Sequence, residues 1–428
     1  MNRRKFIKNS TLLTGSISLV RINQIAAKES KVETQIAKIK PNRLKIGDTV
    51  GLIAPAGYVS DNALQESIEN VEKLGFKPYY TENVKSKYGY LAGEDEVRAK
   101  DLNHMFENDK VDGIFCIRGG YGVARILRQI NYAAIKANPK VLVGYSDITA
   151  LHYAIYSQTG LVTFHGPVAT STFNEFSINN FVKTVMNPEA KTVFTPADDS
   201  EKGSDYKTYV IREGKAKGEL VGGNLSIAVT FLGTKYDVDY KDKILYLEEV
   251  DEKPYRVDRM LTHLYQAGKL EEVSGIALGV FSDCDSKVGS ARGERTLSLQ
   301  EVLYDKLYNL GIPVIYGLSF GHVENKYTIP FGINAELDVQ EQTLTLIEPA
   351  VLWKIYTSKI LDIGYWILET GCWRLDAGDW ILVTGFQIPE TRFLILDSWP
   401  TTPDSWYLIL STFDSQLTIH DSRFSSYV

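Results

Sequence analysis

Acyl transfer by a serine needs a nucleophile, a base, an acid that orients the base, and N–H donors for the oxyanion. In this chain, residues of each kind stand where aliphatic runs stop. Ser146, in "KVLVGYSDITALHYA" (Lys140–Ala154), ends one such run and opens a helical pattern. Two readings are open for it. Serine is favoured at helix starts because its hydroxyl accepts a hydrogen bond from a free backbone N–H. Gly144-Tyr145-Ser146-Asp147 also matches the first half of a G-x-S-x-G nucleophile elbow, with Ile148 in place of the second glycine. A nucleophile here would place the N–H of Asp147 beside the oxyanion, and the helix start would add partial positive charge. Histidines are scarce. His104 and His263 fall in helical patterns, His152 follows Ser146 on its own helix, and His420 lies far toward the C-terminus. His165 in "FHGP" and His322 in "SFGHVEN" both end strand patterns, and His322, among small and polar neighbours, is the better base. Glu248 and Glu249 end "ILYLEE", where strand alternation sends one inward and one to solvent, and a solvated acid pair is the simpler reading. "RGGYG" (Arg118–Gly122) is not a GxGxxG motif, and its glycines serve equally a tight turn or a close backbone approach to a ligand.

The elements that must position these residues alternate. "DTVGLIAPAG" predicts a buried strand. A helix follows over "SDNALQESIENVEKLGF", capped by Ser60 or Asp61 and stopped by Gly75. "KPYYTENV", "VDGIFCIRGGYG" and "KVLVGYSD" predict further strands, with a charged helix "GEDEVRAKDLNHMFEND" and a helical "VARILRQI" between them. Repeated β-α units with aliphatic strands imply a parallel sheet covered by helices, and ligands in such sheets bind at the carboxyl ends of strands. "RGGYG" and "GYSD" both fall on that edge. A less regular linker region spans 171–214. "GELVGGNLSIAVTFLGT" then predicts a glycine turn at Gly222–Gly223 and an apolar helix. "KILYLEEV", "VSGIALGVF" and "IPVIYGLSFGH" predict strands, and "KPYRVDRMLTHLYQAG" and "TLSLQEVLYDKLYNLG" helices. The expected architecture is α/β: a Rossmann-like parallel-sheet N-terminal domain over 45–170, a smaller mixed α/β C-terminal domain over 215–350, and a cleft between them.

The 428-residue chain has room for two such cores. Its formal net charge of −6 argues against a protein whose main work is nucleic-acid binding. Three separated cysteines, Cys116, Cys284 and Cys372, form no CxxC or Cys/His cluster, so neither a disulfide framework nor a metal site is indicated. "NRRKFIK" (Asn2–Lys8), the apolar run "STLLTGSISLV" and "IAAKES" form a twin-arginine export pattern with a possible cleavage point after Ala27, so that 1–27 is an expected signal. Arg21 directly after the apolar run departs from that pattern, and a cytoplasmic protein with a basic N-terminus is the alternative. The run is too short to span a bilayer, and no stable membrane insertion is expected. All six tryptophans follow residue 350 and no lysine follows Lys359. Residues 351–428 are therefore an atypical segment: either a β-rich appendage, with runs such as "WILVTGF" and "RFLILDSW", or a frame-shifted or read-through tail.

Taken in order, "GLIAPAG", "RGGYGVARIL", "GYSDITALH", "GGNL", "LYLEEVDEKPYRVDRML" and "FGH" followed by "TIPFG" resemble the LD-carboxypeptidases, serine peptidases of family S66 that include the microcin C immunity proteins. The resemblance covers roughly 45–350. It implies a Ser146–His322–Glu248 triad, with Glu248 rather than Glu249 as the acid, and oxyanion donors at the N–H of Asp147 and Gly120. It implies release of terminal D-alanine from murein tetrapeptides without a cofactor or metal, and a homodimer. Arg118, Tyr121 and Arg256 are the candidate substrate-binding residues, either arginine being able to hold the free carboxylate. The competing expectations are an immunity-type amidase that cleaves a peptidyl-nucleotide toxin and an inactive murein-binding protein.

Overall fold

Fourteen strands and the helices between them carry the body of the protein, described in a computed structural model over residues 37–285 and 296–352, with four short strands beyond. The expected signal, 1–27, lies outside the described residues. In chain order the first strands are β1 (Thr49–Ile53), β2 (Lys77–Tyr79), β3 (Gly113–Cys116), β4 (Val141–Gly144) and β5 (Thr163–His165). β6 (Thr192–Phe194), β7 (Tyr209–Arg212), β8 (Lys215–Asn224), β9 (Ile244–Val250), β10 (Gly275–Ser282) and β11 (Val314–Gly321) follow. β12 (Ile329–Phe331), β13 (Asn334–Asp338) and β14 (Thr343–Leu346) complete the set.

These strands form two sheets. The first has six strands in the order β12-β5-β4-β3-β1-β2, in which β1 to β5 are parallel. Helices make the crossovers, as parallel strands require. The helix Asp61–Lys73 starts at Ser60, whose hydroxyl accepts from the N–H of Ala63, and buries Leu64, Ser67 and Val71. The helix Asp95–Glu107 lies so close to β1 that a Cβ on Gly51 would come within 2.8 Å of Met105 Sδ. β3 and β4 are buried along their whole length, as strands covered on both faces must be.

The sixth strand departs from the expected all-parallel sheet. β12 comes from the C-terminal half and pairs antiparallel with β5, Ile329 opposite His165. The second sheet has eight strands in the order β6-β14-β13-β8-β9-β10-β11-β7, parallel at its centre and antiparallel toward both edges. Its two edge strands, β6 and β7, come from 171–214, the stretch expected to be a linker. Gly222 and Gly223, expected to turn, instead continue β8 opposite Tyr246 and Leu247. The absence of a Cβ is what they supply, since one on Gly223 would stand 2.6 Å from Thr149 Oγ1.

The chain divides into two units, Met1–Leu352 and Trp353–Val428. Within the second, Trp373–Arg374 pairs antiparallel with Trp380–Ile381, and Leu408–Ser411 with Leu417–His420. "WILVTGF" thus begins with a described strand, whereas "RFLILDSW" lies outside the described residues.

Candidate active site

Ser146 follows β4 in a conformation few non-glycine residues adopt. Tyr145 is extended, and Ser146 turns to φ 64° before the 3-10 turn Ser146–Ile148 and the helix Thr149–Thr159. A left-handed non-glycine residue carries about 1–3 kcal/mol of strain, held in place by its surroundings. The cap reading fails, because neither the turn nor the helix receives a side-chain cap bond. Ser146 is instead pressed against the glycine-rich turn: a Cβ on Gly119 would lie 2.9 Å from Ser146 Cβ and 3.0 Å from its Oγ.

That turn is fastened from beneath. The buried carboxylate of Asp147 accepts from the N–H of Val123 at 2.9 Å, tying the end of "RGGYGV" to the residue after the serine. Burial raises the Asp147 pKa to about 6, against the lowering effects of that bond and of the Arg98 charge. Arg98 is buried as well. Its guanidinium donates to the carbonyls of Pro55 at 2.6 Å and Gly122 at 2.8 Å and pairs with Asp95, drawing three loops together at the carboxyl edge of the first sheet. Gly120, at φ 124°, passes so near Gly57 that a Cβ would meet its backbone at 3.3 Å.

The second sheet supplies the acid and the imidazole. β9 and β11 lie either side of β10, so Glu248 and the residue just past β11, His322, meet across it. His322 Nδ1 donates to Glu248 Oε2 at 2.8 Å, which leaves Nε2 for proton transfer. Glu248 is fully buried, and His322 keeps about a fifth of its side chain exposed. Gly321, at φ 108°, makes room for the pair, since a Cβ there would stand 3.0 Å from Glu248 Oε2. The ring of Tyr145, next to Ser146, meets that of His322 edge-on at 4.9 Å between centroids.

The two acids differ from the alternation-based expectation, for both are buried. β9 is a central strand covered on both faces, so neither side of it is solvent. Glu249 has a separate role. It accepts from Asn224 Nδ2 at 3.0 Å and from the N–H of Ser226 at 2.8 Å, holding the turn after β8, and burial raises its pKa. The N–H of Asn224 donates to Thr149 Oγ1 at 3.0 Å, joining this turn to the helix that follows Ser146.

The remaining candidates separate. His152 is buried beneath the serine turn, its Nε2 bonded to the Gly144 carbonyl at 2.9 Å, and burial lowers its pKa to about 4. His165 is buried in β5, and burial pushes its pKa well down. Arg118 and Tyr121 are exposed on the glycine-rich turn; Arg118 donates to the Tyr58 carbonyl at 3.3 Å, and Tyr121 meets the Tyr90 ring at 5.8 Å. Arg256 is brought elsewhere. It pairs with Glu252 at 3.2 Å and lines a pocket with Ser226, Val229, Arg259, Met260 and His263. The pocket that contains His322, about 340 Å³, is lined by Tyr145, Thr172, Lys202, Tyr206, Glu324 and Lys326 among others. Lys326 and the carboxylate role of Asp147 escape sequence reasoning. Asp147 lay inside a recognised motif, but its side-chain partner is 24 positions away. Among the described residues, no group of three or more His, Cys, Asp or Glu could hold a metal ion, and no helix is long and apolar enough to cross a membrane.

Comparison with known proteins matches residues 50–166 to the LD-carboxypeptidase N-terminal domain and residues 217–337 to the LD-carboxypeptidase C-terminal domain. A probable murein peptide carboxypeptidase of Bacillus subtilis is 37% identical over 308 residues, covering 72% of this chain and 94% of that protein. The murein tetrapeptide carboxypeptidase of Pseudomonas aeruginosa is 29% identical, over 68% of this chain and 94% of that protein. Among solved structures, an MccF-like protein from Bacillus anthracis superposes with a TM-score of 0.64 at 28% identity, covering 72% of this chain and 99% of that one.

Proposed function

This chain belongs to the LD-carboxypeptidase family, and on that footing we propose that it is a serine carboxypeptidase releasing the terminal D-alanine of murein tetrapeptides. The observation that carries the reading is the Glu248–His322 hydrogen bond beside a serine turn strained to φ 64°. In the proposed reaction, His322 Nε2 takes the Ser146 proton as Oγ attacks the carbonyl of the L,D bond. The N–H groups of Asp147 and Gly120 stabilise the oxyanion. Collapse of the intermediate expels D-alanine, whose amine takes the proton from His322. A water then attacks the acyl-enzyme, giving its proton to the same nitrogen, and Ser146 is regenerated. Glu248 holds the tautomer and stabilises the imidazolium.

Mass spectrometry of tetrapeptide muropeptides incubated with the purified protein tests this directly. Loss of one alanine residue is the expected product, and an unchanged tetrapeptide mass rejects the reading. The likeness to an MccF-like structure favours one alternative, an immunity-type amidase. Faster turnover of an aminoacyl-sulfamoyl nucleotide than of the tetrapeptide would select it. Export through residues 1–27 is part of the proposal, since murein lies outside the cytoplasm; a reporter fused after Ala27 and retained inside the cell would reject it. The proposed homodimer predicts twice the chain mass by light scattering.

A further inference from the structure

Lys326 stands four positions after His322, on the loop that carries the chain from β11 to β12. Only 6% of it is exposed, yet it lines the pocket that contains His322. Its ammonium donates to the Val323 carbonyl and lies 5.2 Å from the centre of the Tyr145 ring. Among the described residues, no carboxylate comes within ion-pair distance of it; Glu248 and Glu324 act on it from further off. The pocket's other cation is already matched, Lys202 pairing with Asp199 at 3.0 Å and Glu324 at 2.9 Å. Burial lowers the Lys326 pKa to about 8, so the group remains mostly charged at neutral pH. A buried cation is rarely left without a counter-charge. Lys326 and His322 line the same pocket, so a carboxylate paired with this ammonium would lie beside the imidazole that would work on a peptide bond.

We propose that Lys326 binds a carboxylate of the substrate peptide, making the pocket beside His322 an anion subsite. The assignment rests on the carboxypeptidase reading and moves the carboxylate contact away from Arg256, which lines a different pocket. A murein tetrapeptide offers two suitable groups, the terminal carboxylate of D-alanine and the side-chain carboxylate of diaminopimelate. Both present the same chemistry to an ammonium, and losing the one that Lys326 binds would strand the buried charge.

The test measures kcat and KM of the full chain on three peptides: the diaminopimelate tetrapeptide, its C-terminal amide, and the same peptide with lysine in the third position. Wild type, Lys326→Met and Lys326→Arg are compared. The wild type should favour the full substrate over one neutralised peptide by about 10–100-fold, the range for a hydrogen bond between charged groups. Lys326→Met should collapse that preference through KM, with a smaller loss on the neutralised peptide than on the full substrate, and Lys326→Arg should restore part of it. The arm that collapses identifies the carboxylate. An unchanged preference on both arms overturns the proposal, and so does an equal loss on all three peptides, which would make Lys326 a structural residue. If the wild type releases D-alanine from none of them, the carboxypeptidase reading fails and takes the subsite with it. Lys326→Gln, which keeps a hydrogen-bond donor to Val323, serves the same comparison should the methionine variant not fold.

Discussion

The two sheets contribute to one site in opposite ways. The first presents Ser146 on a single turn, built by neighbours in sequence and held in a left-handed conformation. The second brings together Glu248 and His322, 74 positions apart, with no positive φ at either residue and the left-handed backbone beside His322 placed at a glycine, Gly321, which accepts it without strain. A nucleophile must stand clear of its strand, which a sharp local turn achieves. An acid–imidazole pair must keep its spacing, which a rigid sheet achieves. Stability and activity should therefore be separable in the first half and coupled in the second.

Substitutions put that contrast to the test. Ser146→Ala should lower kcat about 10⁴–10⁶-fold with the fold intact, the range seen when a serine nucleophile is removed. Residual D-alanine release near the wild-type rate would reject the nucleophile. Glu248→Gln should lower kcat about 10³–10⁴-fold by favouring the wrong tautomer, with a small change in KM. A KM effect alone would show that the pair serves binding. Gly321→Ala should cost about 1–3 kcal/mol in denaturant titrations, because the new Cβ meets the Glu248 carboxylate at a φ that disfavours side chains. Activity should fall with it, so a stable, active variant would contradict the coupling.

Asp147 gives a pH test. Its folded-state pKa of about 6 lies above the usual carboxylate value, so the folded protein binds the proton more tightly than the unfolded chain. Its contribution is fully present below about pH 4 and is lost as pH rises through about 6, a difference of about 2–3 kcal/mol relative to Asp147→Asn. Urea midpoints of the two proteins that run parallel across that window would show that Asp147 does not titrate there. The smallest effect separates stability from activity most cleanly. Ser146→Gly should be inactive yet more stable by about 1 kcal/mol, because glycine accepts a left-handed conformation without strain.

Much of this was legible in the sequence, for reasons that differ by residue. Ser146 and His322 were legible as candidates because aliphatic runs stop at them, and the resemblance in the order of motifs picked Glu248, the acid that pairs with His322. Alternation failed for those acids because it presumes one wet face, and β9 has none. The edge strands β6 and β7 were hidden in 171–214 because each is short and pairs with partners far along the chain, Phe194 with Leu344 and Tyr209 with Tyr316. Lys326 was hidden for a related reason: lysine reads as a solvated residue, and only the loop's course between two sheets buries it.

That loop ends in β12, and the strand has a consequence for how such proteins can be taken apart or recombined. The matched N-terminal stretch stops at residue 166, yet the sheet it builds is completed by Ile329–Phe331. A fragment cut at the apparent boundary would leave β5 with an unpaired edge open to aggregation. Grafting the C-terminal half of one relative onto another would exchange the sixth strand together with the histidine. The two matched stretches of this chain are therefore not independent folding pieces, since one supplies a strand to the other's sheet.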